Sequence, residues 1–182
     1  MIEPWPLVDS EVLADHRIFR VRRDRKISPR TGQTLPFHVL ECPDWVNVLA
    51  LTADGQLVLV EQFRHGTNST ELEIPGGVTD PGDLSPVDTA VRELREETGF
   101  SGRDARIIGR VSPNAAILNN TCHTVLIEDC VRLEDPQLDP GEDLLTRVIP
   151  LDTVGRLVRD GRIRHSLVIA ALYHFELWRG RW

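Results

Sequence analysis

Three glutamates, Glu93, Glu96 and Glu97, lie close together in the segment Pro86–Thr98. In a helix, which turns about 100° per residue, their side chains share an arc of roughly 100°. Like charges four residues apart destabilise a helix, and burial raises that cost unless cations are present. Arg92 is expected to hold Glu96, which leaves Glu93 and Glu97 for Mg²⁺, an ion that prefers carboxylate oxygens and is commonly shared with substrate phosphates. The pattern predicts a magnesium site that handles phosphates.

Local signals mark both ends of this helix. Ser85 is suited to cap it, Pro86 fits its first position, and Asp88 places a carboxylate in the first turn. Gly99 supplies the left-handed stop. The face predicted to pack against the protein interior comprises Val87, Ala90, Val91, Leu94 and Thr98.

A run of charged residues of this kind more often lies on a solvated helix face. The residues that flank this run favour the metal site instead. The stretch reads Gly77-x5-Asp83-x8-Arg92-Glu93-Leu94-x-Glu96-Glu97-x-Gly99-Phe100. It resembles the Nudix box, the signature of hydrolases that act on nucleoside diphosphates linked to another moiety. The usual pattern has glutamate in the place of Asp83 and one residue fewer before the arginine. The half of the motif from Arg92 to Phe100 is intact.

The segments VLVEQFRHG and ELEIPGG, which precede the box, are similar to the ADP-ribose and nucleotide-sugar pyrophosphatase branch of this family. The similarity extends from Val46 to Leu151. It implies a hydrolase that splits the pyrophosphate bond of ADP-ribose or nucleoside diphosphate sugars into a nucleoside monophosphate and a sugar phosphate. The implied cofactor is Mg²⁺, with Mn²⁺ as a substitute.

The resemblance also implies which residues hold the metal. Glu93 and Glu97 are expected to be ligands, and Glu96 is expected to be a ligand or a partner oriented by Arg92. The carbonyl of Gly76 is implied as a further ligand.

A general base must take a proton from the attacking water, and a carboxylate on a loop is a reasonable source. Glu142 in DPGEDLL matches the position of a loop glutamate that binds metal or acts as the base in related pyrophosphatases. A solvated acidic loop is the competing interpretation, and Asp143 is the alternative base.

Four residues are candidates for substrate contacts. Arg64 resembles a residue that contacts substrate phosphates in this branch, and an arginine fork suits that task. Glu73 is expected to bind metal or Arg64, or to be a plain strand residue. Asn119 suits sugar hydroxyls or the stabilisation of a turn, and Trp45 suits either base stacking or the core.

The rest of the pattern predicts strands and two late helices. The expected strands are His16–Lys26, Phe37–Glu41, Trp45–Leu51, Leu57–Phe63, Glu71–Ile74, Ala105–Val111, His123–Val131 and Thr146–Ile149. The expected helices are Leu151–Arg159 and Ser166–Trp178, the second with Ser166 as its N-cap.

This order of elements predicts an α/β protein. The resemblance implies a Nudix-type α/β/α sandwich with a mixed sheet, preceded by an antiparallel strand region at the amino terminus. Residues 1–44 are expected to form that region, which the resemblance implies pairs two subunits into a homodimer. Residues 45–182 are expected to form the hydrolase domain.

Composition excludes several classes of protein. The net charge is −7, from 21 basic and 28 acidic residues, so no global field attracts a nucleic-acid backbone, and no nucleic-acid partner is expected. The three cysteines form no CxxC pair, which favours free thiols in a reducing compartment. No signal peptide or bilayer-spanning tract is recognised. A cytoplasmic protein without a membrane partner is expected.

Two alternatives stay open. The chain could be a non-catalytic module that senses nucleotide sugars, although the intact glutamates argue against it. It could also be a Nudix enzyme for other nucleotides, such as nucleoside triphosphates or dinucleoside polyphosphates.

Overall fold

The computed structural model describes residues Met1–Arg181, which fold into ten strands and three α-helices joined by short connections. These residues form two compact units. One combines Met1–Pro43 with Ser112–Thr121, and the other combines Asp44–Val111 with the chain from Cys122 onward. Within Met1–Arg181 no helix has both the length and the apolarity needed to cross a bilayer.

The first unit contains a three-stranded antiparallel sheet of order β1-β2-β3. Its strands are β1 (Leu7–Asp15), β2 (Arg20–Ile27) and β3 (Thr34–Glu41). The sequence did not predict β1, whose side chains are almost all exposed and therefore carry no burial alternation. The expected start of β2 at His16 is wrong, because Arg17 has φ 66° and His16 accepts a hydrogen bond from the N–H of Ile18 in a turn.

The second unit is built on a seven-stranded mixed sheet. Its strands are β4 (Trp45–Leu51), β5 (Gln56–Arg64), β6 (Ser69–Glu73), β7 (Gly76–Val78), β8 (Phe100–Val111), β9 (Cys122–Arg132) and β10 (Leu144–Pro150). The main path runs β10-β5-β4-β9-β8, in which only β4 and β9 are parallel. The predicted mixed sheet is confirmed, although β8 begins at Phe100, five residues before the expected Ala105.

Strand β4 changes partner along its length. Ala50 and Leu51 pair with β5, whereas Trp45 and Asn47 pair with Val78 and Gly76 of β7. The N–H of Val48 donates to the carbonyl of Pro75 between the two pairings, at 2.8 Å. This fork places the glycine-rich strand β7 beside the beginning of β4.

The three helices are α1 (Pro86–Thr98), α2 (Val154–Arg159), which follows a short 3₁₀ turn, and α3 (Ser166–Trp178). Helix α1 begins and ends as predicted, since Ser85 Oγ accepts from the N–H of Asp88 and Gly99 has φ 72°. The prediction of Ser166 as an N-cap is wrong. Ser166 is already the first helical residue, and the extended His165 precedes it.

Two apolar clusters pack on opposite faces of the large sheet, which gives the predicted α/β/α sandwich. Val46 and Val48 of β4 join Leu94 of α1 in one cluster, while Leu49 of β4 joins Phe175 of α3 in the other. Alternate residues of β4 therefore face different helices, as a strand requires. The expectation that Val91 packs inward is wrong, because it is 41% exposed.

Candidate active site

Helix α1 presents two glutamates, one turn apart, to the glycine strand β7. Glu93 and Glu97 are only 8% and 3% exposed, and they share a face because side chains four residues apart align on a helix. Glu97 Oε2 accepts a hydrogen bond from the N–H of Gly76 at 3.0 Å. Glu93 and Glu97, which the sequence predicted to lie beside the packed face of α1, are therefore buried.

The two glycines of β7 leave no room for a side chain, Gly77 beside the Glu93 carboxylate and Gly76 beside the backbone of β4. A Cβ on Gly77 would lie 2.2 Å from Glu93 Oε1, and a Cβ on Gly76 would lie 2.2 Å from the carbonyl oxygen of Val46. Any side chain at position 77 would thus occupy the space of the Glu93 carboxylate. Gly77 therefore leaves room for the Glu93 carboxylate, and Gly76 allows β7 to pair closely with β4.

Burial makes these two carboxylates costly to ionise. It raises the pKa of Glu93 to about 7 and that of Glu97 to about 8, and the proximity of Glu142 acts in the same direction. Removing a carboxylate from water disfavours its charged form, and neighbouring negative charge adds to that penalty. A bound cation would therefore stabilise the charged form of this pair.

Arg92 organises the rest of the acidic face. Its Nη1 donates to Glu96 Oε2 at 2.9 Å, as the sequence predicted. The same nitrogen donates to Glu93 Oε1 at 3.0 Å, so the expectation that Arg92 leaves Glu93 unpaired is wrong. Within Met1–Arg181 no arginine donates a hydrogen bond to Glu97, and the guanidinium of Arg92 fixes the orientation of the other two glutamates.

Asp83 anchors the other side of the Arg92 guanidinium. Its Oδ2 accepts from Arg92 Nη2 at 3.0 Å and from Thr89 Oγ1 at 2.8 Å. It also accepts from the N–H of Asp80 at 3.0 Å. The bond with Arg92 lowers the pKa of Asp83 to about 2. Asp83 is shorter than the glutamate of the usual motif, and its loop is one residue longer. It nevertheless contacts Arg92 directly.

Arg64 and Glu73 form a second charge pair. Arg64 Nε and Nη2 donate to the two oxygens of Glu73 at 2.9 and 3.0 Å. Glu73 is 2% exposed, and a bidentate fork is the strongest arrangement for such a pair. Of the alternatives for Glu73, the structure shows the contact with Arg64.

A polar cavity of about 540 Å³ brings most of the predicted site together. We call it the carboxylate cavity. Its wall contains Trp45, Arg64, Gly76, Arg92, Glu93, Glu96, Glu97 and Glu142 from the predicted set, and Gln62, Gly77, Val78, Asp80, Gln137 and Asp139 in addition. Sequence reasoning did not single out Gln62, Asp80, Gln137 or Asp139 as site residues. Only their proximity to the motif segments, which is a weak signal, could have suggested them.

Glu142 lies on a loop turn at the edge of this cavity. Its Oε2 accepts from the N–H of Asp139 at 3.0 Å, and its own N–H donates to the carbonyl of Asp139 at 2.8 Å. Asp143 lines a neighbouring depression with Gly141 and His65. The two acids therefore face different surroundings, and Glu142 faces the glutamates.

Asn119 and Trp45 have well-defined local contacts. Asn119 belongs to the first compact unit, where its Oδ1 accepts from the N–H of Cys42 at 3.1 Å. That contact joins the segment after β3 to the loop that contains Asn119, and a role in substrate binding stays a prediction. Trp45 is half-buried and not a core residue.

The donor set suits a hard divalent cation. No group of three or more His, Cys, Asp or Glu side chains within Met1–Arg181 is arranged to hold a metal ion alone. Mg²⁺ does not require one, because it usually keeps several waters and binds one or two carboxylates together with substrate phosphates. The buried pair Glu93 and Glu97, with the backbone of Gly76, offers that combination.

Comparisons with known proteins concern the family and the fold. Residues 43–172 match the NUDIX domain. The chain is 29% identical over 147 residues to the ADP-ribose pyrophosphatase of Bacillus subtilis (strain 168), covering 80% of this chain and 79% of that protein. It is 26% identical to the methanol dehydrogenase activator of Bacillus methanolicus over 93% of this chain and 91% of that protein. A crystal structure of an ADP compounds hydrolase superposes with a TM-score of 0.86 at 24% identity, covering 100% of this chain and 97% of that one.

Proposed function

This chain belongs to the Nudix family, and we propose that it hydrolyses the pyrophosphate bond of ADP-ribose or a related nucleoside diphosphate sugar, in dependence on Mg²⁺. The products are a nucleoside monophosphate and a sugar phosphate. The observation that carries the proposal is the buried pair Glu93 and Glu97, whose carboxylates line the same cavity as Arg64. The name of the Bacillus subtilis relative supports the substrate class.

The proposed metal ligands are Glu93, Glu97 and the carbonyl of Gly76, with Glu96 as a further ligand or an orienting partner. When bound, Mg²⁺ neutralises the phosphate oxygens and lowers the pKa of a water; Mn²⁺ is the expected substitute. Arg92 holds Glu93 and Glu96 in place through its two short contacts.

Arg64 is the proposed binding residue for the pyrophosphate. Its guanidinium lies on the wall of the carboxylate cavity and is oriented by Glu73. Because Glu73 contacts only one edge of the fork, through Nε and Nη2, Nη1 remains suited to an anionic oxygen. Glu73 therefore contributes to substrate binding by orienting Arg64, and Asn119 is proposed to contact the sugar.

Glu142 is the proposed general base. Its carboxylate lines the cavity, and the N–H of Asp139 fixes one of its oxygens. We expect Glu142→Gln to lower kcat more than it raises KM, whereas Asp143→Asn, the matched control, leaves kcat within about threefold. A large fall in kcat for Asp143→Asn, with little change for Glu142→Gln, would assign the role of base to Asp143.

The direct test of the function is product analysis with purified protein and Mg²⁺. ADP-ribose, GDP-mannose, UDP-glucose, CoA, a nucleoside triphosphate and a dinucleoside polyphosphate form the panel, with a chelator as control. Release of AMP and ribose 5-phosphate from ADP-ribose supports the proposal. If no substrate is cleaved, the sensing module becomes the better explanation, and preferential cleavage of the last two compounds favours a different Nudix activity.

We also propose a homodimer formed through the strand region 1–44, with 45–182 as the hydrolase domain. The apolar side chains of Leu7, Val8 and Val12 are 57%, 48% and 51% exposed, and such residues on one strand suit a subunit interface. Light scattering of the wild type and of Val12→Arg tests this, and a monomeric wild type would overturn it. The three free cysteines support a cytoplasmic location.

A further inference from the structure

The loop between β9 and β10 carries Glu142, and its first part lies against the end of α1. We call this part, Leu133–Gln137, the strap. The N–H of Gln137 donates to the carbonyl oxygen of Glu96 at 2.7 Å. The last carbonyls of a helix have no donor within the helix, so the strap supplies one that α1 itself cannot.

Gly99 allows the strap to approach α1 this closely. Its carbonyl oxygen accepts from the N–H of Leu133 at 2.9 Å, and a Cβ on Gly99 would lie 2.0 Å from the carbonyl oxygen of Glu134. A side chain at position 99 would therefore push the strap away from the helix. The glycine that ends α1 thus also makes room for the segment that leads to Glu142.

One ion pair joins the side chains of α1 and the strap. Arg95 donates through Nε to Glu134 Oε1 and through Nη2 to Glu134 Oε2, the second bond at 3.2 Å. A two-point contact of this kind fixes orientation as well as distance. Arg95 occupies the position between Leu94 and Glu96 that the motif leaves open, and it does not line the carboxylate cavity. The contact with Glu134 is therefore the role that the structure shows for Arg95.

Beyond the strap, the sheet holds the other end of the loop. Leu144 pairs with Gln62 as β10 begins, and the turn from Asp139 to Glu142 closes on itself between the strap and this strand. Fastening a loop at an interior point shortens the segment that is free to move, and a shorter segment samples fewer conformations. The strap therefore restricts where the carboxylate of Glu142 lies relative to the buried glutamates of α1.

We propose that Arg95, Glu134 and the N–H of Gln137 are positioning groups, which fasten the loop to α1 and thereby hold Glu142 at the carboxylate cavity. The base and the proposed metal ligands then share one support, because the strap is bonded to the last turn of the helix that carries those ligands. The inference rests on the proposed function for the role of Glu142 as the base.

Removal of the backbone donor is the first test. Gln137→Pro lacks the N–H, whereas Gln137→Ala keeps it, and both variants lose the same side chain from the wall of the cavity. With ADP-ribose and Mg²⁺, kcat should be about 10-fold lower in Gln137→Pro than in Gln137→Ala, and KM should differ less than kcat. Equal kcat values in the two variants would overturn the assignment of this donor.

The ion pair gives a second, independent route in case Gln137→Pro is unstable. Arg95→Gln and Glu134→Gln should each lower kcat about two- to fivefold. The double variant should lose no more than either single variant, because the two side chains act together. Asp135→Asn is the matched control, since Asp135 also lies in the strap but pairs with Arg132 of β9, and its kcat should be unchanged. Losses that add in the double variant, or an equal loss in the control, would overturn the role of the pair.

A variant without the base shows whether the strap acts through Glu142. In the Glu142→Gln background, the further change Glu134→Gln should have no additional effect on kcat. A further loss as large as the one that Glu134→Gln causes in the wild type would overturn the positioning of the base.

Hydrogen exchange tests the fastening of the loop without substrate. The N–H groups of Asp139 and Glu142 are hydrogen-bonded within the turn. Their exchange should be faster in Gln137→Pro and Glu134→Gln than in the wild type and Asp135→Asn. Unchanged exchange in the first two variants would overturn the proposal. Faster exchange in a protein that cleaves no compound of the substrate panel would instead overturn the proposed function and leave the strap as the fastening of the loop.

Discussion

Glu71 and Glu97 are both buried glutamates of the same compact unit, at 6% and 3% exposure, yet their surroundings differ. Arg164 holds Glu71 and lowers its pKa to about 2. Glu97 has a backbone N–H as its hydrogen-bond donor, and burial raises its pKa to about 8. A buried acid whose pKa is lowered by an arginine is a structural pair, whereas a buried acid whose pKa is raised is costly to ionise and marks a position where a cation would bind.

The largest effect is expected from Glu97→Gln. The amide keeps an acceptor for the N–H of Gly76 and replaces a buried group that is costly to ionise, so the melting temperature should not fall. Turnover should fall by roughly three orders of magnitude, because the proposed ligand is lost. Glu61→Gln is the control, since Glu61 pairs with Arg147 at 2.7 Å and does not line the carboxylate cavity. Near-normal turnover in Glu97→Gln would remove it from the metal site.

The effect of Mg²⁺ on the melting temperature should distinguish the proposed metal ligands from acids that pair with arginine, and this measurement needs no substrate. A ligand present at 100 times its Kd stabilises a protein by about 2.7 kcal/mol, so saturating Mg²⁺ should raise the Tm of the wild type by several degrees. The double variant Glu93→Gln, Glu97→Gln should lose this shift, and Glu61→Gln should keep it. A shift that survives in the double variant would place the cation elsewhere.

A smaller loss is expected when the anchor of Arg92 is weakened. Asp83→Asn removes the charge that Arg92 Nη2 contacts at 3.0 Å, so Arg92 orients Glu93 and Glu96 less well. We expect kcat to fall about 10- to 100-fold, as for other residues that orient ligands, with a smaller change in KM. Partial rescue by Asp83→Glu would show that the charge matters more than the length of the side chain. An unchanged kcat in Asp83→Asn would mean that Arg92 needs no anchor there.

The smallest effect concerns the stability of the paired acid. Because the folded pKa of Glu71 is about 2, below its ordinary value, the Arg164 pair stabilises the fold above about pH 4.5 and loses that effect as the pH falls towards 2. Urea unfolding of the wild type and Glu71→Gln should differ by about 1 kcal/mol at pH 7. The difference should shrink at pH 3. A constant difference would exclude titration of Glu71 as its source.

Helix α1 could be predicted to the residue because its signals are local. Ser85, Pro86 and Gly99 are neighbours of the segment they delimit, and the capping bond and the positive φ follow from their chemistry. The start of α3 could not, because Ser166 is equally acceptable as a cap or as a first residue. Strand β1 escaped prediction because an exposed strand leaves no hydrophobic pattern.

Site residues that lie within one segment could be predicted from the sequence. Ion pairs between residues distant in the chain could not. The glutamates and Arg92 follow from the spacing within α1. The arginine partner of Glu71 could not be read off the sequence, because Arg164 lies at the other end of the chain and reaches Glu71 only after the sheet has formed. The pair of Arg64 with Glu73 was one alternative among several, because Arg64 lies opposite Ser69 in the sheet and reaches Glu73 only through its long side chain.

The contact between Gly77 and Glu93 bears on how this protein can diverge. Gly77 of β7 has no room for a methyl group beside the Glu93 carboxylate, whereas a Cβ at Gly82, in the loop that follows β7, meets no atom within 4 Å. In a saturation-mutagenesis library, substitutions at position 77 should therefore abolish activity, whereas most substitutions at position 82 should retain it. Lineages that vary this loop can lengthen it or change its charge, but selection for activity confines them to glycine at 77.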